Sequence, residues 1–280
     1  MTEADDAPMQ DDLTIGQLAE LLGVHYMTAY RYVRTGRFPA RKQGIEWRVR
    51  QSDIDAVLRA DEPVPTTHIT TRRPRQYVGE LTECLVIGDE PGAWRVTQDA
   101  LATAYALEGL YLDVLSAAMS RVGDEWAAGR YTIAQEHRAT TLMYRLVGRL
   151  GPGFIRSGPP RGTVIVGTPS GDHHGLATAL LADPLRGRRF RVVDLGAHTP
   201  ASSFAEAATR DGRLVAIGIV SSTPVGDRVV VETIAAIRSQ TTAPVLLGGH
   251  AIRDLRHATE LGADAWANSN RDAIDWFASL

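Results

Sequence analysis

The sequence has little of several residue types and segments that would place it in a specialised class. It holds one cysteine, Cys84, and one lysine, Lys42, among 280 residues. A single cysteine excludes an internal disulfide and any metal site built from several thiolates. There is no apolar run of about 18 residues, so we expect no membrane span, and the acidic residues 1–12 lack the apolar segment of a secretory signal. We therefore expect a cytoplasmic protein in a reducing environment.

The composition is that of a soluble, folded chain, but its charge is unevenly placed. Hydrophobic residues make up 44% and charged residues 22% of the sequence, and the formal net charge is −3. A chain of this length and composition folds into about two domains. Residues 25–50 nevertheless hold seven basic side chains and one acidic one, a local net charge of +6. This segment is the first candidate for contact with nucleic acid.

A pattern of short helices and a hairpin surrounds the basic segment. The capping box Thr14–Gln17 predicts the start of one helix, and a second helix is predicted over residues 26–34. Residues 39–49 alternate around a glycine like a short hairpin, and a third helix is predicted over residues 52–58. Two helices at a tight turn, a hairpin and a further helix predict an all-α winged helix-turn-helix head over residues 13–60.

This stretch resembles the excisionase-type helix-turn-helix, a relative of the MerR DNA-binding domain. The residues that carry the resemblance are Leu13–Thr14, Ala19–Val24, Thr28–Arg31, Gly36, Trp47–Val49 and Ser52–Asp53. The resemblance implies that double-stranded DNA is a partner. Its base edges or phosphates would be contacted by Tyr26, Met27, Thr28 and Arg31 in the major groove, and its backbone by Arg41 and Lys42 on the wing. The alternative is a protein–protein adaptor with a solvated basic face.

A linker and a helical region follow the head. Residues 61–76 combine three prolines with threonines and arginines, which predicts an extended linker, and residues 1–12 are predicted to be a disordered tail. The apolar spacing of residues 77–151 predicts four helices with short connections, an up-down four-helix bundle. Within it, Trp126 ends the third helix and the pair Glu136–His137 opens the fourth. Adjacent residues point roughly 100° apart on a helix, so the members of that pair need not share one role.

The C-terminal region, residues 160–280, alternates short apolar runs with helical patterns. The five runs cover residues 163–168, 190–195, 214–220, 244–247 and 263–267. Such alternation predicts a parallel sheet covered on both faces, in a flavodoxin-like (Rossmann-like) α/β domain whose ligands bind beyond the carboxyl ends of the strands. The chain contains neither GxGxxG nor a P-loop, so no dinucleotide or nucleoside triphosphate is indicated. The predicted fold class is therefore multidomain: winged head, four-helix bundle and α/β domain.

Three motifs at the predicted strand ends resemble the cobalamin-binding signature DxHxxG…SxL…GG. Asp172 and His174 follow the first strand, Ser221–Thr223 the third, and Gly248–Gly249 the fourth. The resemblance implies cobalamin as cofactor, with His174 as the lower axial ligand of cobalt and Asp172 fixing its tautomer. It also implies that a hydroxyl of Ser221 or Ser222 binds the displaced nucleotide tail, with the two glycines allowing close approach.

The bundle adds a second resemblance, carried by Trp126-x9-Glu136-His137. It is similar to the upper-face motif of CarH-type photoreceptor regulators, whose helical bundle covers the adenosyl group of adenosylcobalamin. The resemblance spans nearly the whole chain and implies a light-sensing transcription regulator, not an enzyme, that self-associates as a dimer or tetramer on an operator. Adenosylcobalamin is the implied form, with methylcobalamin and hydroxocobalamin as alternatives.

Four positions depart from the family patterns, and two other functions stay open. His25 stands where the recognition helix of the excisionase type usually opens with serine. Ala177 replaces the last glycine of the first cobalamin motif, Thr223 replaces the leucine of the second, and Ala127 stands where CarH-type members carry a histidine beside the tryptophan. One alternative is a corrinoid carrier for a methyltransferase or mutase, against which the head argues. The other is a light-independent cobalamin or redox sensor, or an antirepressor acting through protein contacts.

Overall fold

The chain forms two compact units, residues 1–70 and 71–280, in the computed structural model. The structure describes residues 12–22, 29–30, 32–33, 38–43, 46–61, 74–210 and 212–280. Residues 1–11 of the predicted tail and residues 62–73 of the predicted linker lie outside the described residues. None of the described helices is long and apolar enough to cross a bilayer.

The first unit is a small antiparallel sheet with helices beside it. Strands β1 (Asp12–Thr14), β2 (Ala40–Gln43) and β3 (Glu46–Arg50) are ordered β1-β3-β2. Helix α1 (Ile15–Leu21) follows β1, and α2 (Gln51–Asp61) follows β3. Residues 29–30 and 32–33 are also helical. The core that these elements bury consists of Ile15, Leu18, Ala19, Ala29, Val33, Phe38, Val49 and Ile54.

The structure of the head confirms the predicted hairpin and capping box. The prediction of an all-α head is wrong, because three strands form a sheet there. Thr14 accepts from the backbone N–H of Gln17 at 3.2 Å, and the Gln17 side chain accepts from Thr14 N–H at 2.9 Å. Asp12, assigned to the tail from sequence, pairs with Arg50, because an extended backbone here completes the edge of the hairpin. The helix predicted over residues 52–58 runs over Gln51–Asp61, since no breaker follows residue 58 until the proline at 63.

The second unit begins with four helices that share one core. They are α3 (Pro74–Ile87), α4 (Glu90–Thr103), α5 and α6 (Ile133–Leu150). Helix α5 starts as α-helical Leu107–Gly109, passes through a π-helical turn at Leu110–Leu115 and returns to α geometry over Ser116–Ala127. The buried residues shared by these helices include Leu81, Leu85, Val114, Val122, Met143 and Leu146. The arrangement agrees in outline with the predicted bundle, whereas the π turn has no counterpart in the prediction.

A five-stranded parallel sheet forms the rest of the second unit, as predicted. Its order is β5-β4-β6-β7-β8. The strands are β4 (Thr163–Gly167), β5 (Arg191–Asp194), β6 (Leu214–Val220), β7 (Val245–Gly248) and β8 (Ala265–Ala267). The helices that follow them are α7 (Leu176–Gly187), α8 (Ala201–Thr209), α9 (Asp227–Arg238), α10 (Leu255–Glu260) and α11 (Asn270–Ser279). Separate apolar clusters cover the two faces of the sheet, which explains why its central strands read as continuous apolar runs.

Candidate functional site

Asp172 organises the carboxyl edge of the sheet. It lies in the loop after β4, is 0% exposed, and uses both carboxylate oxygens. Oδ1 accepts from the backbone N–H of His174 at 3.0 Å, and Oδ2 accepts from the N–H groups of Ser222 and Thr223 at 2.5 and 3.3 Å. A buried carboxylate is stable only when such donors surround it. Asp172 therefore joins the loop after β4 to the loop after β6, the first and second predicted motifs.

His174 is presented outward by the same carboxylate. Its Nδ1 lies 2.9 Å from Asp172 Oδ1, while the side chain is 54% exposed. Because an ionised carboxylate only accepts, this contact requires Nδ1 to carry a proton, so in the neutral imidazole the lone pair is on Nε2. Nε2 has no hydrogen-bond partner among the described residues. An imidazole held in this way can donate Nε2 to a metal.

The second and third motifs meet where β6 and β7 end. Val220 and Gly248 are register partners, and Ser221 N–H donates to the Gly248 carbonyl at 2.8 Å. Ser221 is buried and its hydroxyl donates to the Thr223 carbonyl at 3.2 Å. Gly249 has φ +95°, and a Cβ there would lie 2.3 Å from the Ser221 carbonyl oxygen. Glycine is thus required at 249 for contact between the two strand ends themselves, a role that the sequence did not reveal.

The bundle residues lie on the last turn of α5 and the first turn of α6. Trp126 is 47% exposed, which is unusual for an indole in a packed bundle. Glu136 Oε2 lies 2.5 Å from His137 Nδ1, and Glu136 Oε1 accepts from the Thr140 hydroxyl at 2.8 Å. The expectation that Glu136 and His137 point apart is therefore wrong for their tips, because the flexible glutamate side chain bends to the imidazole. His137 itself is largely exposed.

Tyr144 connects this face of α6 to the loop of His174, and sequence reasoning missed it. Glu136, Thr140 and Tyr144 are spaced i, i+4, i+8 and share one side of the helix. The Tyr144 hydroxyl lies 3.0 Å from the position that a Cβ would take on Gly175, so a side chain there would crowd the tyrosine. Burial raises the pKa of the Tyr144 phenol, and the Asp194 carboxylate adds to the rise. The i+4 spacing was the available signal, but a bundle tyrosine at such a position is usually core.

The head carries part of the predicted DNA-contacting set on an exposed strand. Arg41 and Lys42 are exposed on β2. Arg41 lies opposite Arg48 across the hairpin, and its guanidinium is 3.4 Å from the Asp12 carboxylate. The other predicted DNA contacts, Tyr26, Met27, Thr28 and Arg31, lie outside the described residues.

Comparison with known families identifies the parts of the chain. Residues 78–150 and residues 162–275 each match a family described as B12 binding domain, and residues 13–61 match one described as helix-turn-helix domain. Together these matches describe a cobalamin-binding protein with a DNA-binding motif. Cobalamin is the cofactor, as the sequence predicts.

Curated relatives are corrinoid proteins that align with about 70% of the chain. A corrinoid protein of Desulfitobacterium hafniense is 23% identical over 202 residues, which cover 70% of this chain and 93% of the relative. Trimethylamine corrinoid protein 1 of Methanosarcina acetivorans is 25% identical over 206 residues, which cover 71% of this chain and 94% of the relative. The remaining 6–7% of either relative is too short for a segment like residues 13–61.

A solved structure supports the fold of the second unit. The monomethylamine corrinoid protein of Methanosarcina barkeri superposes with a TM-score of 0.62 at 20% identity, over 74% of this chain and 99% of that one. At this identity the likeness concerns the fold alone.

The residues present fit a cobalamin. The exposed His174 ring has its Nε2 lone pair available and its tautomer set by a buried carboxylate. Beside it, Gly175 faces Tyr144 without a side chain between them. On the bundle, Trp126 near the end of α5 and Ile133 at the start of α6 are large apolar side chains that are exposed, and Glu136 lies in the first turn of α6. An exposed ligand, an open backbone and an apolar face are what a large, partly apolar metal cofactor needs.

Proposed function

We propose that this chain is a cobalamin-dependent transcription regulator, in which the bound cofactor controls self-association and thereby DNA binding by the winged head. The observation that carries the proposal is the outward His174 imidazole, oriented by buried Asp172, in a chain that also holds a basic helix-turn-helix head. Light is the proposed signal, since alkylcobalamins supply a cobalt–carbon bond that light can break.

The proposed lower ligand is His174, and the nucleotide tail lies against the edge built by Ser221–Thr223 and Gly248–Gly249. Asp172 holds both the imidazole and the Ser222–Thr223 backbone, so it fixes the ligand and the wall of the tail site together. A carboxylate on the far ring nitrogen also makes the imidazole a stronger donor.

The proposed upper face consists of Trp126, Glu136, His137 and the α6 side chains below them. An exposed indole offers a flat apolar surface for an adenosyl group, and the Glu136 carboxylate can accept from its ribose hydroxyls. The hydrogen bonds from Thr140 and His137 hold that carboxylate in one position. Loss of an adenosyl group would leave these residues without the partner that they would hold, and the proposed assembly would lose stabilisation.

The test mixes the full chain with adenosylcobalamin in the dark, desalts it and records absorbance, size and DNA binding before and after green light. Retained corrin with light-dependent changes in spectrum, size and DNA affinity supports the proposal. Retained corrin with DNA binding that ignores light supports a light-independent sensor. If neither the cofactor nor light changes the size of the assembly or its DNA affinity, regulation by cobalamin is contradicted.

Two variants and a matched control test the proposed cobalt ligand and the proposed upper face. His174→Ala should lose affinity or leave the cofactor with its own base bound, which changes the absorbance spectrum. His173→Ala is the control, because His173 precedes His174 in the same loop but its ring stacks on the ring of His198, with the ring centroids 4.8 Å apart. Trp126→Ala should retain corrin but lose the preference for adenosylcobalamin over cyanocobalamin.

A second candidate function is a corrinoid carrier that presents cobalt to a methyltransferase. It is favoured by the relatives, whose names are those of corrinoid proteins and whose lengths are almost wholly covered. The additional helix-turn-helix segment favours regulation. Methyl transfer from the methylcobalamin-loaded chain to an added methyltransferase, without DNA binding, would favour the carrier.

A further inference from the structure

Helix α5 changes its geometry in its middle, and the change is held by hydrogen bonds. The turn Leu110–Leu115 is π-helical within an otherwise α-helical segment. Such turns are rare, insert an extra residue and are frequent at functional sites. The Tyr111 carbonyl accepts from the Ser116 hydroxyl at 2.8 Å, so the altered backbone is satisfied from within the helix.

Polar contacts between the four helices and the α/β domain converge on this turn. Three involve exposed or partly buried side chains: Glu108 with Arg188 at 2.6 Å, Asp113 with Arg271 at 2.7 Å, and Ser116 with Asn270 at 3.3 Å. Leu112, within the turn, packs against an apolar cluster of the sheet domain. The turn is therefore one place where the two parts of the second unit are fastened, beside the packing of Leu176 and Leu180 of α7 into the core of the four helices.

A fourth contact differs because it is buried. The Tyr111 hydroxyl donates to Asp183 Oδ2 on α7 at 2.9 Å, and it lies 3.3 Å from the Val147 carbonyl on α6. Tyr111 is 0% and Asp183 7% exposed, and Arg186 balances the carboxylate at 2.7 Å. Burial raises the pKa of the phenol, and the Asp183 carboxylate adds to the rise, so at neutral pH Tyr111 remains a donor. Exposed ion pairs contribute little, whereas a buried bond to a charge contributes more.

The two ends of this bond lead to the two faces of the proposed cofactor site. Asp183 lies on α7, which begins at Leu176, two residues after His174. Tyr111 lies on α5, whose last turn carries Trp126, and its hydroxyl also reaches the α6 backbone. A rotation of α5 about the π turn would therefore move Trp126 relative to the His174 loop.

We infer that the π turn of α5 is the joint between the bundle and the α/β domain, and that Tyr111 and Asp183 are positioning residues that set the orientation of Trp126 over the cofactor. The role of Tyr111 and Asp183 in orienting Trp126 rests on the proposed upper face of the cofactor site. Neither residue touches the cofactor in this inference; both act through α5.

The experiment uses the full chain and the variant Tyr111→Phe, which keeps the ring that packs edge-on against Phe154 at 4.8 Å. The control is Tyr77→Phe, since Tyr77 is also buried but its hydroxyl bonds Thr103 inside the bundle, at 2.7 Å. We expect amide exchange over Ser116–Ala127 to rise about tenfold in Tyr111→Phe and to stay unchanged there in Tyr77→Phe. Equal amide exchange over Ser116–Ala127 in the two variants would overturn the inference that the π turn is a joint.

The positioning role is read from the ratio of the dissociation constants for adenosylcobalamin and cyanocobalamin. Tyr111→Phe should reduce the preference for adenosylcobalamin about tenfold while cyanocobalamin binds as in the wild type. Asp183→Asn keeps an acceptor for Tyr111 and should preserve the preference, whereas Asp183→Leu should lose it. If Tyr111→Phe weakened the binding of both cobalamins equally, the bond between Tyr111 and Asp183 would have only a structural role. That result would overturn the positioning role. A wild type that binds adenosylcobalamin and cyanocobalamin equally would contradict the proposed upper face and, with it, the positioning role of Tyr111 and Asp183. The amide-exchange result would still decide whether the π turn is the joint.

Discussion

At the scale of single residues, Asp172 has the largest number of consequences in the candidate site. It satisfies three backbone donors and one imidazole nitrogen from a fully buried position. Sequence reasoning placed Asp172 beside His174 because the two are separated by one residue. It also placed Ser221–Thr223 at the same strand ends, but it could not predict that Ser222 and Thr223 donate to Asp172, because a contact across 50 residues depends on the register of β4 and β6.

Asp172→Asn should weaken cobalamin binding by about 10- to 100-fold, the usual effect of removing an outer-shell partner of a metal-binding histidine. An amide oxygen can still accept from Ser222 and Thr223, but its NH2 group then faces His174 Nδ1 and favours the proton on Nε2, which blocks the ligand. The measurement is equilibrium binding with an absorbance spectrum. Asp272→Asn is the control, since Asp272 is exposed on α11 and accepts from the Ser269 hydroxyl at 2.8 Å. Equal affinities in both variants would contradict the assigned role of Asp172.

Gly249→Ala should lower the free energy of unfolding by about 2 kcal/mol more than Gly226→Ala. Both glycines have positive φ, +95° and +90°, but only at 249 would the new Cβ meet a neighbour, the Ser221 backbone, while nothing lies within 4 Å at 226. The difference isolates the contact from the backbone strain. Urea unfolding of both variants measures it, and equal losses would mean that the strand ends can separate without cost.

At the scale of secondary-structure elements, periodicity and caps predicted most of the fold. The box Thr14–Gln17 starts a helix as expected, because capping is a local interaction. The parallel sheet followed from apolar runs long enough to be buried on both sides. The π turn at Leu110–Leu115 was not predictable, since one inserted residue hardly alters an apolar stripe. Its contacts with the α/β domain come from residues as far as 72 and 158 positions away, Asp183 and Arg271. Strand β1 was missed because three residues carry too little periodicity.

The wing strand β2 should contribute phosphate contacts without sequence preference. Arg41 and Arg48 are cross-strand partners, and like charges in such a pair are unfavourable unless an anion lies near. The Asp12 carboxylate contacts Arg41, and its carbonyl accepts from Arg48 at 3.5 Å. A DNA phosphate can replace this weak compensation.

Arg41→Gln should therefore weaken binding to any duplex and reduce the slope of log affinity against log salt by about 1. Fluorescence anisotropy with a labelled duplex at several salt concentrations measures both. Arg228→Gln is the control, because Arg228 is an exposed arginine on α9 paired only loosely with Glu232, at 3.6 Å. An unchanged slope in Arg41→Gln would remove the wing from the interface.

At the scale of the whole molecule, the charge distribution favours one part of the chain for the proposed DNA binding. The chain carries −3 and residues 25–50 carry +6, so the remaining residues carry −9. One head makes few phosphate contacts and is attached to a chain that phosphates repel, so a single copy should bind DNA weakly. Two heads held in one assembly raise each other's effective concentration, which can increase apparent affinity by roughly 10²- to 10⁴-fold. Under the proposed function, self-association is thus the step at which the cofactor would have most influence on DNA binding.

This coupling predicts a difference between duplexes of two lengths. A duplex of about 10 base pairs accommodates one head, whereas about 30 base pairs accommodate two on successive turns. For the adenosylcobalamin-loaded chain in the dark, the salt slope on the long duplex should be about twice that on the short one, because two heads displace twice as many counterions. Green light should reduce the long-duplex slope to the short-duplex value, and His174→Ala should show the lower slope throughout. Anisotropy at several salt concentrations, with sizing runs on the same samples, gives both quantities. A long-duplex slope that stays doubled in His174→Ala or after illumination would mean that the heads assemble without the cofactor, and that cobalamin acts on something other than DNA binding.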